Sequence, residues 1–161
     1  MSQQIWLMKS EPEEVSVDDV LTMPDQTVAW TGVRNYQARN FMMRDMNKGD
    51  TVLFYHSSCA EPGIVGVGVV ASHAYPDQTQ FDPTSKYFDP KATTDKPRWF
   101  HVDVKITQKT RWLGLKELRA QTELSSMRLL AKGNRLSITP VTKEEWKVIK
   151  ELLRTKKNNL S

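Results

Sequence analysis

Short apolar stretches separated by polar turns recur along the whole chain, and their spacing changes between the two-residue period of strands and the longer period of helices. The predicted strands are residues 5–8, 51–55, 64–70, 99–106 and 136–139. The predicted helices are residues 17–23, 38–46, 113–120 and 124–131, with a last helix after residue 142. Thr142 and Glu145 have the spacing of a capping box, which indicates where that last helix begins.

The order of these elements predicts one small α+β domain, built on a mainly antiparallel, barrel-like sheet with short helices around it. Gly66 and Gly68 alternate with valines in one predicted strand, so both point to one face, which favours a tightly curved wall or a close approach of backbone. No linker or internal repeat divides the chain. We expect a single domain over residues 1–155 and a short C-terminal tail over residues 156–161.

The composition is that of an ordinary globular protein, with 39% hydrophobic and 26% charged residues among 161. A net charge of +4 favours a polyanionic partner without establishing one. No apolar run reaches the roughly 18 residues of a membrane span, and the N-terminus lacks the features of a signal peptide. We therefore expect a cytoplasmic protein, or a nuclear one in a eukaryote. We also expect it to be a monomer. Its single cysteine, Cys59, cannot form an internal disulfide.

Residues 30–40 hold aromatic, cationic and amide side chains in an order that follows neither a helical nor a strand period before Tyr36. Arg34, Asn35 and Tyr36 fall at the start of a predicted helix, where free backbone N–H groups favour an anion or a carbonyl oxygen. The segment therefore predicts a ligand-binding loop. Taken singly, Trp30 and Tyr36 would instead be ordinary core aromatic residues.

Polar side chains also follow two predicted strands, at residues 9–11 and at His56 and Ser57. Together with the loop at residues 30–40, they are expected to converge on one pocket. A base turned out of a nucleic-acid strand is recognised by an aromatic ring that stacks on it and by fixed polar groups at its edge, with cations outside for the backbone. This inventory of side chains fits that use.

Other chemistries fit less well. Ser57 or Cys59 beside His56 resembles a nucleophile and its base, but such close neighbours rarely meet in attack geometry, and no acid is placed behind the histidine. The three histidines share no metal-ligand spacing, and the motifs of zinc deaminases and of dinucleotide-binding loops are incomplete. We therefore expect a non-enzymatic protein without a metal or a cofactor.

Residues 75–98 form a long irregular segment that contains four prolines and four aspartates. Loops of this length in compact domains are usually functional or disordered. The aromatic side chains of Phe81, Tyr87 and Phe88 favour an ordered loop.

Several motifs together resemble the EVE domain family, the bacterial homologues of thymocyte nuclear protein. The motifs are residues 6–12 (WLMKSEP), 30–40 (WTGVRNYQARN), 54–57 (FYHS), 82–87 (DPTSKY), 97–99 (PRW) and 133–137 (GNRLS). The resemblance extends over about residues 3–153, and its motifs occur in the order of that family.

The resemblance implies a PUA-like pseudo-barrel, related to the YTH readers of methylated RNA, that binds nucleic acid with a modified base and is not an enzyme. It implies first a modified cytosine in DNA, such as 5-methylcytosine, held flipped in the pocket. A reader of modified RNA is the alternative within that class. A binder of a small molecule or nucleotide is the alternative outside it.

Carried onto this chain, the resemblance gives Trp30 the role of a stacking platform, with Tyr55 opposite it. The other candidates for the base pocket are Lys9, Ser10, Glu11, Asn35, His56 and Ser57. The candidates for contacts with backbone phosphates are Arg34, Arg39, Arg98 and Arg135.

Overall fold

A computed structural model describes residues 3–155, in which a six-stranded sheet has the strand order β2-β7-β4-β3-β1-β8. A separate two-stranded ribbon is formed by β5 and β6. The strands are β1 (Ile5–Ser10), β2 (Thr27–Ala29), β3 (Thr51–His56), β4 (Gly63–Val70), β5 (Tyr75–Pro76), β6 (Phe100–His101), β7 (Asp103–Gly114) and β8 (Ile138–Val141). The predicted α+β class with a mostly antiparallel sheet is confirmed. The predicted tail, residues 156–161, lies outside the described residues.

Four short helices accompany the sheet: α1 (Val17–Leu21), α2 (Tyr36–Asn40), α3 (Leu115–Arg119) and α4 (Lys143–Arg154). The predicted capping box of α4 is confirmed, because the Thr142 side chain and the Glu145 carboxylate each accept a hydrogen bond from the other residue's backbone N–H. Asn35 caps α2, which continues without a break into one π-helical turn over Phe41–Asp45.

β1 and β3 are the one parallel pair of neighbours in this sheet, in a register that places Ile5 beside Thr51 and Ser10 beside His56. A parallel pair needs a crossover connection, which α1, β2 and α2 supply. Both strands therefore end at the same edge of the sheet, and the polar residues that follow them lie there together.

Successive side chains along each strand point to opposite faces of the sheet, so the protein has two separate hydrophobic cores, one on each face. On the first face, Trp6, Met8, Val52 and Phe54 pack with Trp30 and with residues of α1 and α2. On the second face, the buried residues include Ile5, Leu7, Leu53, Tyr55, Leu118 and Ile149. Phe54 and Tyr55, although adjacent in β3, thus belong to opposite sides of the sheet.

Two predictions in the second half of the chain are wrong. The segment 124–131 forms two 3₁₀ turns, Thr122–Leu124 and Arg128–Leu130, because Met127 between them is extended and fully buried in the second core. The strand predicted over residues 136–139 is instead β8 over Ile138–Val141, so Pro140 lies within it. An edge strand tolerates proline, since the missing N–H removes no bond of the ladder.

The predicted strand 99–106 is divided into β6 and β7, and β7 extends to Gly114, beyond the predicted start of a helix at residue 113. Leu113 stays in the sheet because it pairs with Ile64 of β4. Strands β4 and β7 approach each other closely at Gly68 of β4, where a Cβ would overlap the backbone of Lys105 in β7.

The long loop over residues 75–98 is ordered, as predicted, and a buried glutamine holds it. The Gln80 amide nitrogen donates to the carbonyl oxygens of Asp77 and Trp99, at 2.7 and 2.8 Å. Its oxygen accepts from the backbone N–H groups of Arg98 and Trp99, both at 2.9 Å. The two ends of the loop are therefore tied together by one side chain.

Candidate functional site

A cavity of about 210 Å³ opens at the edge of the sheet where β1 and β2 end. Three segments line it: the turn after β1, the loop after β2, and one residue of the long loop, with Ser137 closing one side. The lining residues are Lys9, Ser10, Glu11, Glu14, Val15, Val28, Ala29, Trp30, Thr31, Gly32, Val33, Arg34, Tyr87 and Ser137.

Trp30 is one of the two aromatic residues that line the cavity. Only 7% of the residue is exposed, and its ring meets that of Phe54 edge to face, with centroids 5.3 Å apart and planes at 80°. Its backbone N–H donates to the carbonyl oxygen of Val102 at 2.9 Å. Within residues 3–155 the indole N–H has no acceptor, and it is not sealed from solvent. The ring is thus fixed in place and keeps one donor for a ligand.

Gly32 and Tyr87 are in close contact beside Trp30. Gly32 has a φ of +89°, in the left-handed region that favours glycine, and a Cβ added there would lie 2.8 Å from two carbons of the Tyr87 ring. The glycine therefore serves two purposes: it permits the turn of the loop, and it allows the tyrosine ring to cover the backbone.

All five N–H groups of Arg34 donate hydrogen bonds, and four of them join the loop after β2 to the long loop. Nε and Nη2 both donate to the Tyr87 carbonyl oxygen, at 3.0 and 2.7 Å, and Nη2 also donates to the Thr79 hydroxyl. Nη1 donates to the Val33 carbonyl oxygen and to Asp77 Oδ2. No donor of this guanidinium is left for a phosphate, so the predicted phosphate contact of Arg34 does not fit the structure.

Asp77 is fully buried and anchors the same junction. Burial acts to raise the pKa of its carboxyl group, but hydrogen bonds from Thr79, from the backbone N–H of Gly32 and from Arg34 outweigh burial and lower the pKa. Asp77 is therefore ionised at neutral pH and binds the backbone of the cavity loop, with a Gly32 N to Oδ2 distance of 2.8 Å.

Glu14 connects the turn after β1 to the long loop. Its carboxylate accepts from Lys86 Nζ at 2.9 Å and from the Tyr87 hydroxyl at 2.7 Å. These two hydrogen bonds lower the pKa of Glu14. The contact is exposed to water, so it contributes little to stability and can open without a large cost.

Lys9, Ser10 and Glu11 line the cavity, as the sequence predicts for pocket residues. Burial lowers the pKa of Lys9, and its ammonium group has no hydrogen-bond or ion-pair partner within residues 3–155. The Ser10 hydroxyl donates to the Val15 carbonyl oxygen at 2.6 Å. Glu11 is exposed, and its carbonyl oxygen accepts from the backbone N–H groups of Glu14 and Val15.

Four predicted pocket residues do not line the cavity. Tyr55 belongs to the second core and cannot oppose Trp30, because the two lie on opposite faces of the sheet. The Asn35 side chain accepts from the N–H of Ala38 and caps α2. Ser57 continues the pairing of β1 and β3 through its backbone, and His56 has the structural role described next.

His56 holds the start of α1, where its Nε2 accepts from the backbone N–H of Val17 at 3.1 Å. Burial lowers the pKa of the imidazole, and the carboxylates of Asp18 and Asp19 only partly offset this. The ring is therefore neutral at pH 7, with its proton on Nδ1. Protonation of Nε2 would remove the hydrogen bond to α1.

We expect the free energy of unfolding to fall as the pH is lowered below about 6.5, the ordinary pKa of histidine. Because the pKa of His56 is lower in the folded state, the unfolded chain binds the proton first, and acid favours unfolding. Urea denaturation at pH 7.5, 6.5 and 5.5 measures this fall, which becomes smaller in His56→Gln. An unchanged fall in His56→Gln, equal to that of the exposed-histidine control His73→Gln, would contradict the assignment.

The other three arginines predicted to bind phosphates differ in how many of their N–H donors are already used within the protein. Arg39 Nη1 donates to the Arg98 carbonyl oxygen, and its Nε and Nη2 donate to Asn40 Oδ1. Arg98 forms an ion pair of 3.5 Å with Asp89. Arg135 is exposed and has no ion pair within the described residues.

Residues 4–152 match the family model of the EVE domain. The chain belongs to the EVE domain family. Thymocyte nuclear protein 1 of mouse is 42% identical over 168 residues, which cover 93% of this chain and 74% of that protein. A solved structure from Pseudomonas putida is 50% identical, with a TM-score of 0.87, and covers 92% of this EVE domain and 98% of its own chain.

Human thymocyte nuclear protein 1 has been solved in complex with DNA containing 5-methylcytosine. That structure is 40% identical to this EVE domain, with a TM-score of 0.90, over 96% of this chain and 99% of the other. The PUA-like fold predicted from the sequence is confirmed by these neighbours. Within residues 3–155 of this EVE domain, no helix is long and apolar enough to cross a membrane, and no cluster of three potential metal ligands exists.

Three residues that shape the site of this EVE domain were not among the predicted site residues: Glu14, Asp77 and Tyr87. A contact of Tyr87 with the rest of the domain could have been predicted, since an aromatic side chain in a long polar loop usually packs against another surface. Asp77 was one of four similar aspartates in that loop, and nothing in the sequence separates it from the others. Glu14 lies in an acidic turn and carried no signal.

Proposed function

We propose that this protein binds DNA that carries a modified cytosine, without catalysis, and holds that base flipped out of its strand in the cavity beside Trp30. The observation that carries the proposal is a small cavity with one fixed aromatic wall and unpaired polar groups at its edge. The DNA complex of the human relative supports the class of ligand.

The size of the cavity supports a single base as its occupant. At about 210 Å³ it is smaller than the roughly 300–1,000 Å³ of pockets for drug-sized ligands. A planar base that stacks on Trp30 would present its edge to the Lys9 ammonium, which has no partner within residues 3–155. The ammonium group is a donor, which suits the carbonyl oxygen and ring nitrogen acceptors of a cytosine.

The test is a fluorescence titration of the purified protein with matched short DNA and RNA strands that contain cytosine, 5-methylcytosine or 5-hydroxymethylcytosine. Each strand is measured at two salt concentrations. We expect tighter, salt-dependent binding to one modified DNA strand. We also expect duplexes with a mismatch at the modified cytosine to bind more tightly than matched duplexes, because extrusion of an unpaired base costs less.

Other outcomes would redirect the proposal. A preference for the RNA strands would favour a reader of modified RNA. Binding of the free nucleoside that equals binding of the strand, with little dependence on salt, would favour a small-molecule binder. Equal affinity for all strands would contradict recognition of a modified base in the cavity.

We expect Arg135→Gln to weaken binding to modified and unmodified strands alike, and to reduce the slope of log affinity against log salt by about 1. The reason is that Arg135 is exposed and unpaired within the described residues, near Ser137 of the cavity. Titrations at three salt concentrations measure the slope.

Two matched variants control for lost charge. Arg154→Gln removes an exposed cation from α4, which packs on the second face of the sheet, and should leave the slope unchanged. Arg34→Gln should lower thermal stability without changing the slope, since its donors are used within the protein. A slope that responds to Arg34→Gln and not to Arg135→Gln would contradict both assignments.

A further inference from the structure

Tyr36 is an exposed aromatic residue at the first position of α2, with 48% of its surface accessible. Its ring stacks on that of Trp99, with centroids 4.8 Å apart and planes at 22°. A tyrosine of the core would be covered on both faces, and this one is not. The proposed role of the cavity does not use it.

Trp99 holds this ring in a fixed orientation. Only 6% of Trp99 is exposed, and its indole N–H donates to Asp89 Oδ2 at 2.7 Å. Its backbone N–H donates to the buried Gln80. Tyr36 thus rests on a rigid support, so a ligand that stacks on it loses little further freedom of the side chain.

The outer face of the Tyr36 ring is open. The Arg39 guanidinium carbon lies 4.6 Å from the Tyr36 centroid and 5.8 Å from the Trp99 ring. If Arg39 and Trp99 covered opposite faces of Tyr36, their separation would be close to the sum of their two distances from it. The observed separation is far shorter, so Arg39 lies beside the stack and adds a positive charge at its rim.

The stack continues into the cavity. The Arg34 guanidinium carbon lies 5.3 Å from the Trp99 ring and 5.5 Å from the Tyr87 ring, and both Arg34 and Tyr87 line the cavity. Tyr36 is therefore connected to the cavity wall through this row of packed rings and one guanidinium.

We propose that Tyr36 is a second stacking platform, which binds the base of a nucleotide that flanks the modified one. The inference rests on the proposed function, and it adds a ligand group outside the cavity. An aromatic face with the cation Arg39 at its rim suits a stacked base and its phosphate, since every base has a face that stacks. The nearby carboxylate of Asp89 is paired with Arg98 and Trp99, so it does not oppose an anion there.

The test compares Tyr36→Ala with Tyr36→Phe on two sets of ligands. The first set is a single strand with 5-methylcytosine and intact flanking bases, and the same strand with an abasic site on one or the other side. The second is free 5-methyl-2′-deoxycytidine. Met43→Ala, which truncates another exposed apolar side chain of the adjoining helical turn, is the matched control.

We expect Tyr36→Ala to lower affinity for the intact strand about tenfold, a fold-change in the range found for one stacked base. Tyr36→Ala and the unsubstituted protein should bind the free nucleoside equally well. They should also bind equally well the strand that lacks the flanking base that stacks on Tyr36. Tyr36→Phe and Met43→Ala should bind every ligand normally.

An equal loss on intact and both abasic strands, or no loss on any, would overturn the second platform. Either result leaves the cavity proposal standing if modified and plain strands are still distinguished. A protein that binds no strand at all would overturn both proposals together.

Discussion

Trp30→Ala is expected to lower the affinity for the preferred modified strand tenfold or more. Trp30 and Tyr87 are the two aromatic residues that line the cavity, and stacking of one base on such a ring is worth about 1–3 kcal/mol. Binding to an unmodified strand, which depends mainly on phosphate contacts, should change much less. Fluorescence titrations of both strands measure the two effects.

Two controls separate loss of stacking from loss of folding. Because Trp30 is buried against Phe54, its truncation also removes core packing, at a cost of about 3–5 kcal/mol in the free energy of unfolding. Circular dichroism must therefore show that the variant is folded at the temperature of the titration. Trp30→Phe keeps an aromatic face and should retain most of the affinity. A change below twofold in folded Trp30→Ala would rule out the platform.

Gly32→Ala is expected to destabilise the protein and to disturb the cavity at once. The left-handed φ of +89° costs a residue with a Cβ about 1–2 kcal/mol, and the new Cβ would also displace the Tyr87 ring, which lies 2.8 Å away. Movement of Tyr87 shifts its carbonyl oxygen, to which Arg34 donates two hydrogen bonds. Thermal unfolding and strand titrations report the two consequences.

Gly133→Ala is the matched control for the cost of placing a residue with a Cβ at a left-handed φ. Gly133 has a φ of +78°, but a Cβ there would meet nothing within 4 Å, so its substitution carries strain without a clash. We expect the loss of thermal stability to be larger for Gly32→Ala than for Gly133→Ala. In a Tyr87→Ala background the two losses should become similar. Equal losses in the unsubstituted background would show that the Tyr87 contact is unimportant.

Local signals in the sequence predicted much of the fold. The capping residues of α4 and the apolar runs of β1, β3 and β4 all depend on neighbours in sequence, and the structure confirms them. The predicted helix over residues 124–131 was wrong, because burial of Met127 in the second core determines the conformation of this segment. Helical spacing of apolar residues cannot distinguish one helix from two tight turns that bury the same side chains.

The cavity shows a similar limit. Polar groups at the ends of β1 and β3 were predicted to converge, and those of β1 line the cavity. The prediction that Tyr55 lies opposite Trp30 was wrong, because adjacent residues of a strand face opposite sides of the sheet. The side on which Trp30 lies depends on pairing between segments that are distant in sequence. The roles of Arg34 and Asp77 depend on a loop that closes over the sheet from more than forty residues away. No local pattern encodes such a contact.

The pairing of β1 with both β3 and β8 has a consequence for protein synthesis. In this register Trp6 lies opposite Pro140, and the Lys9 N–H donates to the Ser137 carbonyl oxygen at 2.8 Å. β1 is made before β8, and at about 5–20 residues per second several seconds or more separate them on the ribosome. The side of the cavity formed by Lys9 and Ser137 therefore cannot exist on a nascent chain that still lacks β8. Under the proposed function, ligand binding is acquired only after β8 has emerged, so a translation product that lacks β8 would not compete for the ligand.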